Sequence, residues 1–263
     1  MKIQWHLSRE TGYPFGSASP DPKRLEPLGF PPPWPDRPWI YGVMVASRNG
    51  VVAWKRRDQS DNPVLAILGI DPAHPAPPKP EQLADKLHVI YLYTFGDVGV
   101  GAQTVREQEE LVLTIKEPGK EVPEFADLYE PLYRIREVRG LTRHPRSIVY
   151  SPSGKLDFGH PVFTTPGIEG VVVTTISGAR RLESLGAREK RVALVVDGEI
   201  ELDADAHRRV HQRLFTQHGV RYLDCMGGEP LLRALRDARI LDEVFATYTD
   251  VEVDEAAHEG VKR

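Results

Sequence analysis

The residues best placed to do chemistry lie in F-G-D-V-G-V-G-A-Q-T-V-R, from Phe95 to Arg106. A strand pattern runs there through glycines into a helix start. Gly101 and Ala102 are small enough to let a ligand approach the backbone where a helix leaves its first N–H groups unpaired. Thr104 adds a hydroxyl donor and Arg106 a full positive charge in the same turn, and the helix dipole favours an anion at that end. The segment reads as a phosphate cradle. The same letters also describe an ordinary strand-to-helix corner with Arg106 facing solvent.

A second corner repeats the geometry. In R-Y-L-D-C-M-G-G-E-P-L-L-R-A-L a strand is followed by Gly227 and Gly228, and then by a helix with proline in its first turn. Two such corners can hold two phosphate groups. Paired glycines that simply let a helix pack on a sheet would leave the same signature.

Both corners need strands and helices to hold them. W-I-Y-G-V-M-V-A-S, R-S-I-V-Y, G-V-V-V-T-T, R-V-A-L-V-V and V-R-Y-L-D-C-M are short runs of β-branched and aromatic residues bounded by Gly, Pro or charge, and they read as buried strands. Between the last two, Ala206, Val210, Leu214 and Phe215 recur at helical spacing, with Asp203 as the cap and Gly219 as the stop. Leu231, Leu232, Leu235 and Ala238 repeat that pattern, and Glu81 to Tyr93 is amphipathic. Strands alternating with helices imply an α/β layer architecture with a largely parallel sheet, whose strand ends are the usual place for a ligand.

The chain has 263 residues and a formal net charge of -4, so it has no general pull on nucleic acid. No apolar run reaches the roughly 18 residues of a membrane helix, and the first ten residues lack a signal-peptide core. A cytoplasmic protein is expected. The single cysteine, Cys225, excludes an intrachain disulfide or a multi-thiolate zinc site, and its apolar neighbours predict a buried thiol. From Pro14 to Pro38 the chain is dense in proline, so residues 1–36 are expected as an extended N-terminal extension and 37–263 as the domain. A second proline-rich stretch, Asp71 to Pro80, reads as a loop suited to cover a site.

The ordered motifs from Arg37 to Val253 resemble the reductase domain at the C-terminal end of bifunctional riboflavin-biosynthesis deaminase-reductases. Those enzymes have the dihydrofolate-reductase-like fold, so the resemblance implies a three-layer α/β protein with a central, mostly parallel sheet flanked by helices. It also implies NADPH as hydride donor, a nucleotide-like small-molecule substrate and a homodimer. By position, Gly101, Ala102, Thr104, Val105 and Arg106 match the first cofactor loop, and Gly227, Gly228 and the following Glu229 match the glycine loop at the pyrophosphate. Ser151, Ser153 and Lys155, in S-P-S-G-K, match the region near the adenosine ribose, where hydroxyls and an ammonium suit a 2'-phosphate as well as they suit a polar turn.

Departures from the family bear on the chemistry. S-R-N-G puts Asn49 where a substrate-side aspartate is expected, and Met226 stands where a glutamate would precede the two glycines. Asn49 is thus the expected catalytic position, with a neutral amide that hydrogen-bonds but cannot shuttle a proton. The upstream zinc-deaminase signature is absent, and T-D-V-E-V-D-E-A-A-H-E-G-V-K-R stands where closing antiparallel strands are expected. The main reading is an NADPH-dependent reductase; the alternative is an NADP-binding regulatory protein that has lost catalysis. Reduction of dihydrofolate itself follows only from fold kinship.

Other clusters are weaker. His207 and His211 stand one helical turn apart but read as an isolated surface pair without a complete ligand set, so no metal is expected. Lys55, Arg56 and Arg57 fit either a substrate phosphate or a solvated basic turn, and Trp34, Trp39 and Trp54 fit either ring stacking or packing of the extension.

Overall fold

The computed structural model describes residues 32–57, 61–71, 74 and 76–262. The strands are β1 (Trp39–Ala46), β2 (Asp97–Gly101), β3 (Ser147–Tyr150), β4 (Gly170–Thr174), β5 (Ala193–Val196), β6 (Tyr222–Cys225) and β7 (Glu243–Tyr248). The α-helices are α1 (Pro63–Ile67), α2 (Pro80–Tyr93), α3 (Ala102–Glu107), α4 (Tyr129–Val138), α5 (Pro161–Thr164), α6 (Ile176–Ser184), α7 (Ala204–His218) and α8 (Glu229–Asp237). The strands form one sheet in the order β5-β4-β3-β2-β6-β1-β7. Every pairing in it is parallel, one step beyond the mostly parallel sheet expected from sequence.

Alternation along the strands splits the core into two layers. Val98, Val100, Val149 and Val172 face one side with residues of α2, α4 and α6, while Ile148, Val171, Val173 and Leu223 face the other with residues of α7 and α8. A third cluster joins Trp39, Tyr41 and Val43 of β1 to Leu92 at the end of α2 and Phe245 of β7. This is the three-layer α/β arrangement expected from the sequence. The caps read for α7 are present: Asp203 accepts from the Ala206 N–H, and Gly219 turns left-handed at φ 66°. Cys225 is buried, as its neighbours implied.

The histidine pair on α7 is not a surface pair. His207 and His211 are 5% and 0% exposed, because α7 lays them against the sheet. The His211 Nε2 lies 2.8 Å from the Tyr150 hydroxyl and its Nδ1 lies 2.6 Å from the His207 carbonyl. Among the described residues no group of metal-ligating side chains has formed. Burial pushes His211 down to about 3 and lowers His207 as well, so both rings are neutral in the fold. The unfolded chain takes up protons below about pH 6.5 that the folded His211 refuses, so stability is intact above that pH and lost between about pH 6.5 and 3. At pH 5 the loss from His211 alone is about 2 kcal/mol. Thermal unfolding at pH 7 and pH 5 should show this drop in the natural chain and a smaller one in His211→Gln, which keeps a partner for Tyr150.

The segment after β7 does not simply stop beside the sheet. It turns back along the loop that follows β1, with Thr249 N–H on the Ala46 carbonyl at 2.9 Å and Arg48 N–H on the Val251 carbonyl at 2.7 Å. Farther on, Lys262 makes an antiparallel bridge with Ala53. Val253 is buried with Val51, Trp54 and Ile67, so this segment has a small core of its own. At the other end of the chain, Trp34 stacks on Trp39 with ring centroids 6.3 Å apart. Its indole N–H and the Arg37 guanidinium both bond Asp242. Residues 34–37 thus pack on the domain, and the rest of the expected extension, 1–31, lies outside the described residues.

Candidate functional site

Strand β6 runs between β1 and β2, so the chain reverses its direction of travel across the sheet at this point. Open α/β sheets form a crevice at the carboxyl ends of their strands where this happens. Both glycine corners lie there, after β2 and after β6. The Gly101 N–H donates to the Gly227 carbonyl at 2.8 Å, and the Met226 N–H donates to the Gly99 carbonyl at 2.9 Å. Two segments separated by more than a hundred residues therefore touch. A Cβ added at Gly101 would stand 3.7 Å from the Gly228 nitrogen, so the corners leave only atom-sized room between their backbones. Gly227 adopts φ 85°, a conformation that suits glycine, and the Gly227–Gly228 peptide is cis.

Neither corner helix is capped by its own side chain: Gly101 precedes α3 and Gly228 precedes α8. By contrast, Thr175 caps α6 and Asp203 caps α7. In the first turn of α8, Pro230 has no N–H and Leu231 donates to the Gly228 carbonyl at 3.0 Å, so the Glu229 N–H is the one that faces solvent or a ligand. Ala102 and Val105 are buried and serve the core, Thr104 is half-buried, and Arg106 is exposed.

The S-P-S-G-K loop is drawn to the first corner. Arg106 donates to the Lys155 carbonyl at 3.1 Å. On its other side the loop is clamped to the start of α6, where Thr174 and Thr175 hydroxyls bond the Ser151 and Pro152 carbonyls at 2.7 Å. Gly154, at φ 64°, packs so tightly there that a Cβ would meet the Gly178 carbonyl at 2.3 Å. Ser153 and Lys155 stand exposed beside Arg106, while Ser151 is 1% exposed with a buried, unpartnered hydroxyl. Arg106 thus touches the backbone of the loop that carries the exposed Ser153 and Lys155, while the Ser151 hydroxyl is turned inward.

Asn49 is the surprise of the site. Its Nδ2 donates to the Val253 carbonyl at 2.9 Å and to Glu255 at 3.3 Å, and its Oδ1 accepts from Ser47 at 2.8 Å and from the Val253 N–H at 3.1 Å. The amide fastens the C-terminal segment to the loop after β1. The basic triplet is occupied as well: Lys55 pairs with Glu259, Arg56 with Glu107 and Arg57 with Asp61. Trp54 bonds Asp61 and stacks on His258 at 4.1 Å.

An acid that sequence reasoning passed over stands near the same edge. Asp85 of α2 is 7% exposed, and burial raises its carboxyl above the ordinary range, partly offset by a hydrogen bond with Thr247. Thr247 is registered with Val45 on β1, near the strand ends. The signal was present in α2: Asp85 shares a helical stripe with His88, Val89 and Leu92, an acid on a face that must be buried. A second buried acid, Asp224, has neither oxygen hydrogen-bonded and is pushed well up by burial. It lies one residue before the end of β6, registered with Tyr41 and Val98 near the starts of β1 and β2 rather than their carboxyl ends.

No family model and no curated protein matches the sequence. Solved structures do match. A pyrimidine reductase-like protein from Corynebacterium diphtheriae superposes with a TM-score of 0.55 at 16% identity, covering 83% of this chain and 77% of that one. The riboflavin biosynthesis reductase Rib7 of Saccharomyces cerevisiae gives 0.51 at 13% identity, covering 85% and 78%. RibD of Acinetobacter baumannii gives 0.54 at 12% identity, covering 86% of this chain but 49% of its own length, so the present chain spans about half of that protein. What is shared at such identities is the arrangement of strands and helices, and by that arrangement the chain has the fold of the pyrimidine reductases of riboflavin biosynthesis.

Proposed function

We propose that this chain is an NADPH-dependent reductase of a small heterocyclic or nucleotide-like substrate, related to the riboflavin-pathway reductase that acts on a diaminopyrimidine ribosylamino phosphate. The observation that carries the reading is the contact between the two glycine corners at the carboxyl edge of the sheet, with uncapped α8 beside them. When bound, the nicotinamide cofactor supplies hydride. The residues present fit it: Gly101, Gly227 and Gly228 give backbone approach for a diphosphate, and Thr104 gives a hydroxyl. Arg106, Ser153 and Lys155 suit a 2'-phosphate, which favours NADPH over NADH.

Asp85 is the residue we assign to proton delivery. Burial raises the Asp85 carboxyl and so favours its protonated, proton-donating form, as suits a general acid, and the Thr247 hydroxyl hydrogen-bonds it. That acid favours catalysis over the binding-only alternative, because it compensates for the neutral Asn49 and Met226. Asn49 then acts by holding the C-terminal segment in place. The reading extends to a homodimer in the cytoplasm. Edge strand β7, with Val244 and Tyr248 exposed, supplies a surface for a second copy, and a free buried thiol suits a reducing compartment. Among the described residues, no helix is long and apolar enough to cross a membrane.

Titration of the purified chain with NADPH and NADH, followed by nicotinamide fluorescence, tests the reading directly. NADPH is expected to bind more tightly. Thr104→Ala should weaken it by about five-fold, the worth of one hydrogen bond, whereas Gly228→Val should abolish it by filling the backbone approach. A wild-type chain that binds neither cofactor would leave only the fold.

A further inference from the structure

Among the described residues, the C-terminal segment reaches the second glycine corner through Lys262. Residues 249–262 are anchored at Asn49, at Lys55 through Glu259, and at Trp54 through His258, and the bridge to Ala53 then carries Lys262 across to α8. There its ammonium lies 3.1 Å from the Glu229 carboxylate, which Arg233 also grips from one turn farther along the helix. Glu229 is the first residue of α8, directly after Gly228. Its side chain is 14% exposed, so its charge is felt close to the corner.

This position is awkward for a diphosphate site. A carboxylate in the first turn takes for itself the favourable field of the helix end and repels any phosphate that arrives there. Burial alone would raise Glu229, but the hydrogen bonds from Arg233 and Lys262 hold it below the usual carboxylate range, so it is ionised. Two cations on one carboxylate leave the cluster with a net positive charge. Arg233 comes from the same helix, whereas Lys262 is delivered only when the segment 249–262 is docked.

We propose that Lys262 is a positioning residue for the second glycine corner: by neutralising Glu229 it lets a dianionic diphosphate bind there, and it thereby couples docking of the segment 249–262 to occupancy of the corner. The inference rests on the dinucleotide reading above and adds to it a control element outside the glycine loops. Coupling of this kind is reciprocal, so a ligand in the corner tightens the segment as much as the segment tightens the ligand.

The test is a binding titration of the full chain with NADPH and, separately, with inorganic pyrophosphate, comparing Lys262→Met, Lys262→Arg, Glu229→Gln and the double variant Glu229→Gln/Lys262→Met. Amide exchange across 249–262 is read alongside, with and without ligand. Lys262→Met is expected to weaken both ligands by about five-fold and Lys262→Arg to leave them near wild type. The double variant should recover wild-type affinity to within about two-fold, since no carboxylate remains to be neutralised. Ligand should slow exchange in the segment for wild type and not for Lys262→Met. Equal losses from Lys262→Met with and without Glu229, or unchanged affinity in Lys262→Met, would overturn the proposal. If NADPH fails to bind but pyrophosphate follows this pattern, the reductase reading falls and the role of Lys262 stands. If neither ligand binds, both fall.

Discussion

Replacing Asp85 by asparagine is expected to lower substrate turnover by about 10²-fold or more while leaving NADPH affinity within about two-fold of wild type. The separation follows from position. Asp85 stands on α2 against Thr247 of β7, two strands away from β6 and its glycine corner. Asparagine keeps the shape and a hydrogen bond to Thr247 but has no proton to give. The rate should fall as pH rises through the raised value of the carboxyl, because only the protonated acid donates, and that limb should vanish in the variant. Folding is not at risk. An acid whose folded value is raised costs stability at every pH above its ordinary value, since the unfolded chain ionises freely, so Asp85→Asn should be no less stable at pH 7. Turnover measured by loss of nicotinamide absorbance, with affinity measured on the same samples, decides the matter. A variant that turns over at the wild-type rate would remove Asp85 from the chemistry.

How much of this could be read from residues alone depends on whether the information was local. The strands were legible because β-branched runs such as G-V-V-V-T-T have few other uses, and α7 was legible from Asp203 and Gly219. Each glycine corner was visible as well. Their contact was not a local property, since it depends on β6 inserting between β1 and β2. Helix α6 was hidden by Gly178, a poor helix former that is needed because a Cβ there would strike the Pro152 carbonyl at 2.3 Å. Helix α4 was hidden in part by Pro131 in its first turn. Depth was the hardest quantity to read. The spacing of His207 and His211 gave their shared face correctly, but nothing in it distinguished a solvated face from one pressed on Tyr150. Asn49 shows the same gap for partners: its amide is taken by Val253 and Glu255, more than two hundred residues later, which only the folded chain reveals.

Arg136→Met should be the most destabilising of these substitutions, costing about 3 kcal/mol or more and lowering the unfolding midpoint by about 10 °C. Arg136 is fully buried on α4, and its guanidinium donates to the carbonyls of Tyr93 at 2.5 Å, Gly96 at 2.7 Å and Thr142 at 2.8 Å. Two of these carbonyls belong to the end of α2 and the turn before β2, where a cation also meets the negative end of the α2 dipole. Methionine fills a similar volume but leaves all three carbonyls without that donor in a dry interior. Part of the cost is returned, because burial already strains the charge and brings the guanidinium down to about 10. The net effect stays large, since three buried acceptors lose their partner and one desolvated cation is relieved. Thermal and denaturant unfolding of the two proteins at pH 7 measures it, and a midpoint within two or three degrees of wild type would show that water or neighbouring donors replace the arginine. The consequence reaches the site, because the turn that Arg136 holds joins the helix that carries Asp85 to the strand that ends in Gly101.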